Sequence, residues 1–308
     1  MRVIFCGNPS FAVPTLQALL TSSHDVVAAV CSPDKPRGRG QKLEPLPVKQ
    51  VALSAAVPVL QPESLRDESF LEYVREFKPD CLVVVAFRIL PRELFALPRL
   101  GSFNVHPSLL PSGRGPEPIR WSLIRGESDT GVTIIQLNER VDAGAMLRQE
   151  RTEIHPEEDF GSLHDRLAVL GAKLLVEVLD RCARGEAVTP LTQDESRMTK
   201  APKLTSADRI LSWRQTASDV VNRVRALCPS PGAFAVAGDF RLNVLKAEML
   251  SAAPSLAPGE ISVDKTALTV GTSDAAVRLM LVQPEGRRPM AVADYLRGRP
   301  ELPPMFDT

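Results

Sequence analysis

The chain has 308 residues, more than one ordinary core holds, so two domains are expected. Lys plus Arg and Asp plus Glu balance at 37 each, which removes any global basic charge as a sign of a nucleic-acid partner and leaves only local basic faces to consider. The five cysteines (Cys6, Cys31, Cys81, Cys182, Cys228) form no CxxC pair, a pattern of small core thiols in a reducing compartment rather than of a disulfide framework or a metal site. With no signal-peptide layout at the amino terminus and no run long enough to span a bilayer, the cytoplasm is the expected location.

In chain order, "RVIFCG", "DVVAAVCS" and "DCLVVVAF" are short apolar runs, the pattern of strands buried on both faces. Helical stretches such as "PESLRDESFLEYVREFK" separate them, and "GSFNVH" and "TGVTIIQLN" follow as further strands. This order predicts an α/β domain with an open, mostly parallel sheet of the doubly wound kind, whose ligands bind outside the carboxyl ends of the strands. From Asp159 to Arg184 the leucines Leu163, Leu167, Leu170 and Leu174, with Val178, mark one long helix. His164 flanks that stripe. Residues 189–206 lose periodicity and read as a linker, so the expected division is 1–188, linker 189–206 and 207–308. The last part, with a short helix and then "FRLNVLKAEML" and "ALTVGTSDAAVRLMLVQP", reads as a small β-barrel.

Four stretches carry candidate chemistry. "FCGNPSFAVP" is a strand-to-helix turn without the GxGxxG spacing, so it does not predict dinucleotide binding in the usual manner; Asn8 and Ser10 could rim a cleft. "SPDKPRGRGQKLEPLPVK" places Lys35, Arg37, Arg39, Lys42 and Lys49 against two acids, either a solvated loop or a clamp on phosphate. In "FNVHPSLLP", Asn104 and His106 sit two residues apart at a strand's carboxyl end, where i, i+2 spacing points both side chains one way. An amide donor and an imidazole suit acyl transfer, in which an oxyanion forms at a carbonyl. Asp142 lies in the turn "RVDAGAM" and gains meaning only if it meets His106 in space. No His/Cys/carboxylate spacing suggests a metal, and no GxSxG suggests a serine nucleophile.

Asn104-x-His106, Ser108-Leu109-Leu110-Pro111, Arg114-Gly115, "TGVTI" and Asp142-x-Gly144, in that order, resemble the signature of the folate-dependent formyltransferases. "FCGNPSFAVPTLQALL", "SPDKPRGRGQKL", "RILSWRQTASDVVNRVRAL", "PSPGAF" and "VQPEGRRPMAVADYLRG" resemble the methionyl-tRNA formyltransferases over nearly the whole length. The resemblance implies a Rossmann-like catalytic domain, a linker and a smaller OB-like β-barrel domain that contacts tRNA, and formyl transfer from 10-formyltetrahydrofolate to the α-amino group of methionyl initiator tRNA, with Asn104, His106 and Asp142 as the catalytic set. It implies folate contacts at Ser108, Leu109, Leu110 and Pro111 and at Phe87, Arg88 and Ile89, tRNA contacts at Arg37, Arg39, Lys42, Lys203 and Lys246, no metal, and a monomer.

The chain departs from the family pattern in "AFRILP", one residue shorter than the usual A-Y-G-x-I-L-P, and in Glu117, Cys228 and Ser230. Two alternatives stand beside the leading reading. One is a folate-dependent formyltransferase acting on an amino sugar nucleotide. The other is a catalytically weakened RNA-binding homologue.

Overall fold

The computed structural model describes residues 1–37, 42–250 and 256–308. They form two compact units. The first comprises Met1–Pro118, Thr130–Glu153 and His164–Pro202; the second comprises Ile119–Asp129, Ile154–Leu163 and Lys203–Thr308.

The first unit is built on a seven-stranded sheet in the order Val59–Leu60, Asp25–Val30, Arg2–Gly7, Cys81–Val85, Ser102–His106, Asp129–Gln136, Met146–Glu153. The first five run parallel, and Asp129–Gln136 pairs antiparallel with Ser102–His106. The apolar runs read in the sequence are these central strands, and Cys81–Val85 is buried along its whole length. Strand order reverses between Arg2–Gly7 and Cys81–Val85, the place where doubly wound sheets open a crevice at their carboxyl ends. One face is covered by helix Glu68–Glu76, whose Phe70, Leu71 and Val74 pack against Ile4, Leu82 and Val84. That helix is shorter than its sequence pattern suggests. Asp67 takes the backbone N–H of Phe70 at 3.0 Å and so fixes the start, leaving residues 62–67 as a loop.

The long helix is Phe160–Ala183, with Leu163, Leu167, Leu174 and Val178 buried. His164 does flank the stripe, lying edge-on to Phe11 with ring centroids 5.2 Å apart. The segment expected to be a linker is held against the first unit as far as Pro202. Met146 and Leu191 bond each other's backbones at 2.8 Å, and Ala201 N–H reaches the Arg114 carbonyl at 2.7 Å.

The second unit carries an antiparallel sheet in the order Ala233–Ala237, Phe240–Leu250, Ala276–Pro284, Leu268–Gly271, Ile261–Val263, with Met290–Ala291 paired to Ala276–Pro284. Register shifts around Lys246 disrupt the ladder, the irregularity that bends and coils a sheet. Helix Ala217–Leu227 is started by a reciprocal capping box of Thr216 and Asp219 and buries Val220 and Val224 with Trp213 and Phe306 in one core. Both tryptophans of the chain, Trp121 and Trp213, belong to this unit. The architecture is the expected one, a Rossmann-like α/β sheet and a smaller antiparallel β domain. Among the described residues, no helix is long and apolar enough to cross a membrane.

Candidate active site

Strand Ser102–His106 ends where its parallel neighbour Cys81–Val85 also ends, so residues 86–90 and 107–111 leave the sheet side by side. The alternation of the strand turns Asn104 and His106 the same way. His106 is 4% exposed and Asn104 half-buried. The His106 ring is fixed from one side, with Nε2 2.9 Å from the carbonyl oxygen of Gly113. A carbonyl only accepts, so Nε2 carries the proton and Nδ1 is the nitrogen left for chemistry. Nδ1 faces Asp142 Oδ1 at 3.7 Å, beyond hydrogen-bond length. The Asn104 amide makes no hydrogen bond among the described residues.

Asp142 has a left-handed backbone, φ +53°, which few non-glycine residues adopt without support from their surroundings. Its other carboxylate oxygen, Oδ2, accepts the N–H of Gly115 at 3.0 Å. The turn lies pressed on the preceding strand. A Cβ at Gly144 would stand 1.8 Å from the carbonyl oxygen of Gln136, so only glycine fits there. The spacing Asp142-x-Gly144 therefore has a steric cause.

The loop after His106 is rigid by its own bonding. Thr133 Oγ1 donates to the Ser108 carbonyl at 2.7 Å and accepts from Leu110 N–H at 3.2 Å. Gln149 Nε2 donates to both Thr133 Oγ1 and the Leu110 carbonyl, at 2.8 and 3.0 Å. The Ser108 hydroxyl is used internally, on the Ser112 carbonyl at 2.6 Å, and Leu110 and Pro111 are buried. Of the stretch Ser108–Pro111, Leu109 keeps a partly exposed side chain.

In the shortened neighbouring loop, Arg88 donates to the carbonyls of Glu63 and Pro62 at 3.1 and 3.0 Å. Phe87 packs partly buried on the core, and Ile89 is 76% exposed. At the first turn, Asn8 and Ser32 exchange two hydrogen bonds at 3.0 and 2.8 Å, which ties the ends of the first two strands together; sequence reading placed Asn8 at a cleft rim but did not find this partner.

The structure thus brings Asn104, His106 and Asp142 into one corner. Other predicted residues lie elsewhere. Pro36–Arg37 and Lys42–Leu43 pair as a two-rung antiparallel ladder; Arg39 lies outside the described residues, and only the backbone of Arg37 and Lys42 is described. Lys203 and Lys246 are exposed in the second unit, where Lys246 Nζ lies 3.6 Å from Glu157. Sequence reading missed Gln193, which donates to the carbonyls of Asp142 and Gly144, and named Arg114 as part of the signature without finding that it donates to Gln193. Their partners are distant in sequence, and no local pattern signals them.

Residues 1–179 match the formyl transferase family, and residues 203–300 match the formyl transferase C-terminal domain family. A methionyl-tRNA formyltransferase of Moorella thermoacetica is 42% identical over 305 residues, covering 98% of both chains. The chain belongs to the methionyl-tRNA formyltransferase family.

Solved structures with the same fold include HypX from Aquifex aeolicus in complex with tetrahydrofolic acid, with a TM-score of 0.65 and 21% identity; the match covers 96% of this chain and 47% of HypX. An N-formyltransferase from Helicobacter canadensis, in complex with folinic acid and dTDP-3-aminofucose, gives a TM-score of 0.69 at 16% identity, covering 90% of this chain and 98% of its own. For this member of the formyltransferases, the corner of Asn104, His106 and Asp142 stands at the carboxyl end of the parallel strands, one strand beyond the point where strand order reverses.

Proposed function

We propose that the protein transfers the formyl group of 10-formyltetrahydrofolate to the α-amino group of methionine on initiator tRNA, and that Asn104, His106 and Asp142 perform the transfer. The observation that carries this reading is the fixed imidazole: Nε2 is occupied by the Gly113 carbonyl, while Nδ1 is presented to Asp142 at 3.7 Å. The amine nitrogen forms a bond to the formyl carbon, and the bond from that carbon to the folate nitrogen breaks. One proton leaves the amine, and one is returned to the folate nitrogen. Negative charge gathers on the formyl oxygen in between.

The Asn104 amide, uncommitted among the described residues, donates to that oxygen, together with Nδ1–H of the protonated imidazole. Asp142 orients and polarises the imidazole and takes the amine's proton on its own carboxylate. No covalent bond to the protein is needed. The side-by-side loops supply a wall for a flat folate ring, with exposed Ile89 on one and Leu109 on the other. Arg37, Arg39, Lys42, Lys203 and Lys246 act as phosphate contacts to tRNA, each worth about one unit of log–log salt slope.

The test is a competition of acceptors. The protein is incubated with 10-formyltetrahydrofolate and either charged initiator tRNA or an amino sugar nucleotide. Formyl-methionyl-tRNA is the expected product. Formylated sugar with unmodified tRNA overturns the acceptor assignment, and product from neither overturns the activity.

A further inference from the structure

We propose that Gln193 is a positioning residue that holds the Asp142 turn in register with His106, so that a segment lying outside the matched catalytic family region sets the aim of the catalytic carboxylate. The proposal rests on the reading that Asp142 acts on His106.

The carboxylate of Asp142 is aimed from two directions. From the side chain, Gly115 N–H fixes Oδ2 and leaves Oδ1 facing the imidazole. From the backbone, Gln193 Nε2 donates to the carbonyls of Asp142 and Gly144, both at 2.8 Å. The first of these bonds falls on the residue whose φ is +53°, the conformation that needs outside support, and the second falls two residues further along the same turn.

Gln193 cannot turn away from this task. It is 5% exposed, and its Oε1 accepts from Arg114 Nε and Nη2 at 2.9 and 2.7 Å. All four hydrogen-bonding positions of one amide are thus used, which fixes which end of the side chain points at the turn. Arg114 is in turn held by Glu195, which also pairs with Arg140 at 3.0 Å. The backbone N–H of Arg114 reaches Thr199 O at 3.0 Å, and its carbonyl takes Ala201 N–H. Arg114 precedes Gly115, the residue that grips the carboxylate. One amide therefore adds a second tie between the two loops that meet at Asp142, beside the direct bond from Gly115 N–H to the carboxylate.

Two variants separate the halves of the amide. Gln193→Leu removes both. Gln193→Glu keeps an acceptor for Arg114 but loses the donor and sets a carboxylate against two carbonyl oxygens. Because it keeps Arg114 paired, it retains a folded protein if the leucine variant does not. Both are expected to lower kcat for formyl transfer roughly tenfold to a hundredfold, the scale of about an ångström of misplacement, with KM for folate and tRNA within about twofold. Hydrogen exchange of the Gly115 amide should accelerate at least about tenfold, while that of Leu82 in the central strand stays unchanged.

A glutamate variant with kcat within about twofold of the parent, or with Gly115 protected as before, overturns the proposal. Asp142→Asn separates this failure from failure of the underlying reading. If Asp142→Asn is severely impaired while the Gln193 variants are normal, only the positioning role falls. If Asp142→Asn turns over normally, the catalytic assignment falls and the positioning role with it.

Discussion

At the amino end of the parallel sheet, the Arg2 N–H reaches Asp80 Oδ2 at 2.8 Å, its guanidinium takes Asp25 and the Phe77 carbonyl, and Arg99 closes on Asp80 at 3.3 Å. His24 lies there between the terminal amine, 3.5 Å from Nδ1, and Asp180, 3.1 Å from Nε2. At the carboxyl end the Asn104 amide has no hydrogen bond among the described residues, and His106 and Asp142 stand 3.7 Å apart. Both ends are rich in polar groups. At the first most of them pair with one another, although the buried His24 Nε2, close to Asp180, makes no hydrogen bond. At the second the supporting groups are satisfied, from Thr133 to Gln193, while the groups facing the corner are held short of completion. Incomplete pairing inside a fully bonded frame is what a site needs if its hydrogen bonds are to form with the reacting atoms instead.

The comparison breaks most clearly at the corner itself. Asn104→Ala, His106→Ala and Asp142→Ala should each lower kcat by roughly two to three orders of magnitude, the usual loss for one donor to a developing oxyanion. For Asn104→Ala the melting midpoint should move by no more than a few degrees, since no internal bond is lost. Steady-state kinetics with thermal melting checks both. A large loss of stability with turnover intact would place Asn104 in the frame rather than in the reaction.

Asp80→Ala should do the reverse. Its carboxyl is held below the usual range, first by the Arg2 backbone N–H and then by Arg99. Its loss should cost about 1 kcal/mol, read from urea denaturation, with kcat unchanged.

A smaller effect concerns acidity. Burial, aided by the terminal amine, depresses His24 below its ordinary 6.5, against the opposing pull of Asp180. Below pH 6.5 the unfolded chain binds a proton at this position that the folded chain resists. Stability should therefore fall as pH drops from 6.5 toward the depressed value, and His24→Gln should flatten that decline. The pH profile of turnover should be the same in both proteins. A changed profile would mean that the amino end is coupled to the chemistry.

The smallest effect is expected at Cys31, which follows the strand Asp25–Val30 and precedes Ser32, the partner of Asn8. Burial pushes its thiol up to about 11 and that of Cys81 to about 12. Iodoacetamide at pH 8 should leave both unlabelled and turnover unaffected. Labelling of native Cys31 that stops the reaction would put a nucleophile where the comparison places none.

What could be read in the sequence follows the range of the interactions. The buried strands declare themselves because each apolar run answers to local periodicity. Asn104 and His106 stand out because i, i+2 spacing at a strand end is itself a local pattern. Asp142 was a turn residue by chemistry and joined the site only through family resemblance, since its approach to His106 spans 36 positions of chain. Residues 189–206 read as a linker because the order of 189–202 is supplied from outside: Gln193 bonds Arg114 across 79 positions and Gly144 across 49. For the same reason nothing local announces that Ile119–Asp129 and Ile154–Leu163 group with the later part of the chain. Arg120 shows how they do so. Its guanidinium stacks 3.5 Å over Phe160 and donates to the carbonyls of Ala226 and Ser230.

The placement of the two tryptophans makes the units optically separable. Trp213 is fully buried and stacked on Phe306 at 5.6 Å, and Trp121 lies with the Arg125 guanidinium 5.3 Å from its ring, so both chromophores sit in the second unit. Of the tryptophans and tyrosines the first unit holds only Tyr73. Selective excitation of indole therefore follows the melting of one unit, while calorimetry follows both. A small molecule that stabilises the first unit alone would raise a heat-absorption peak and leave the emission transition where it was.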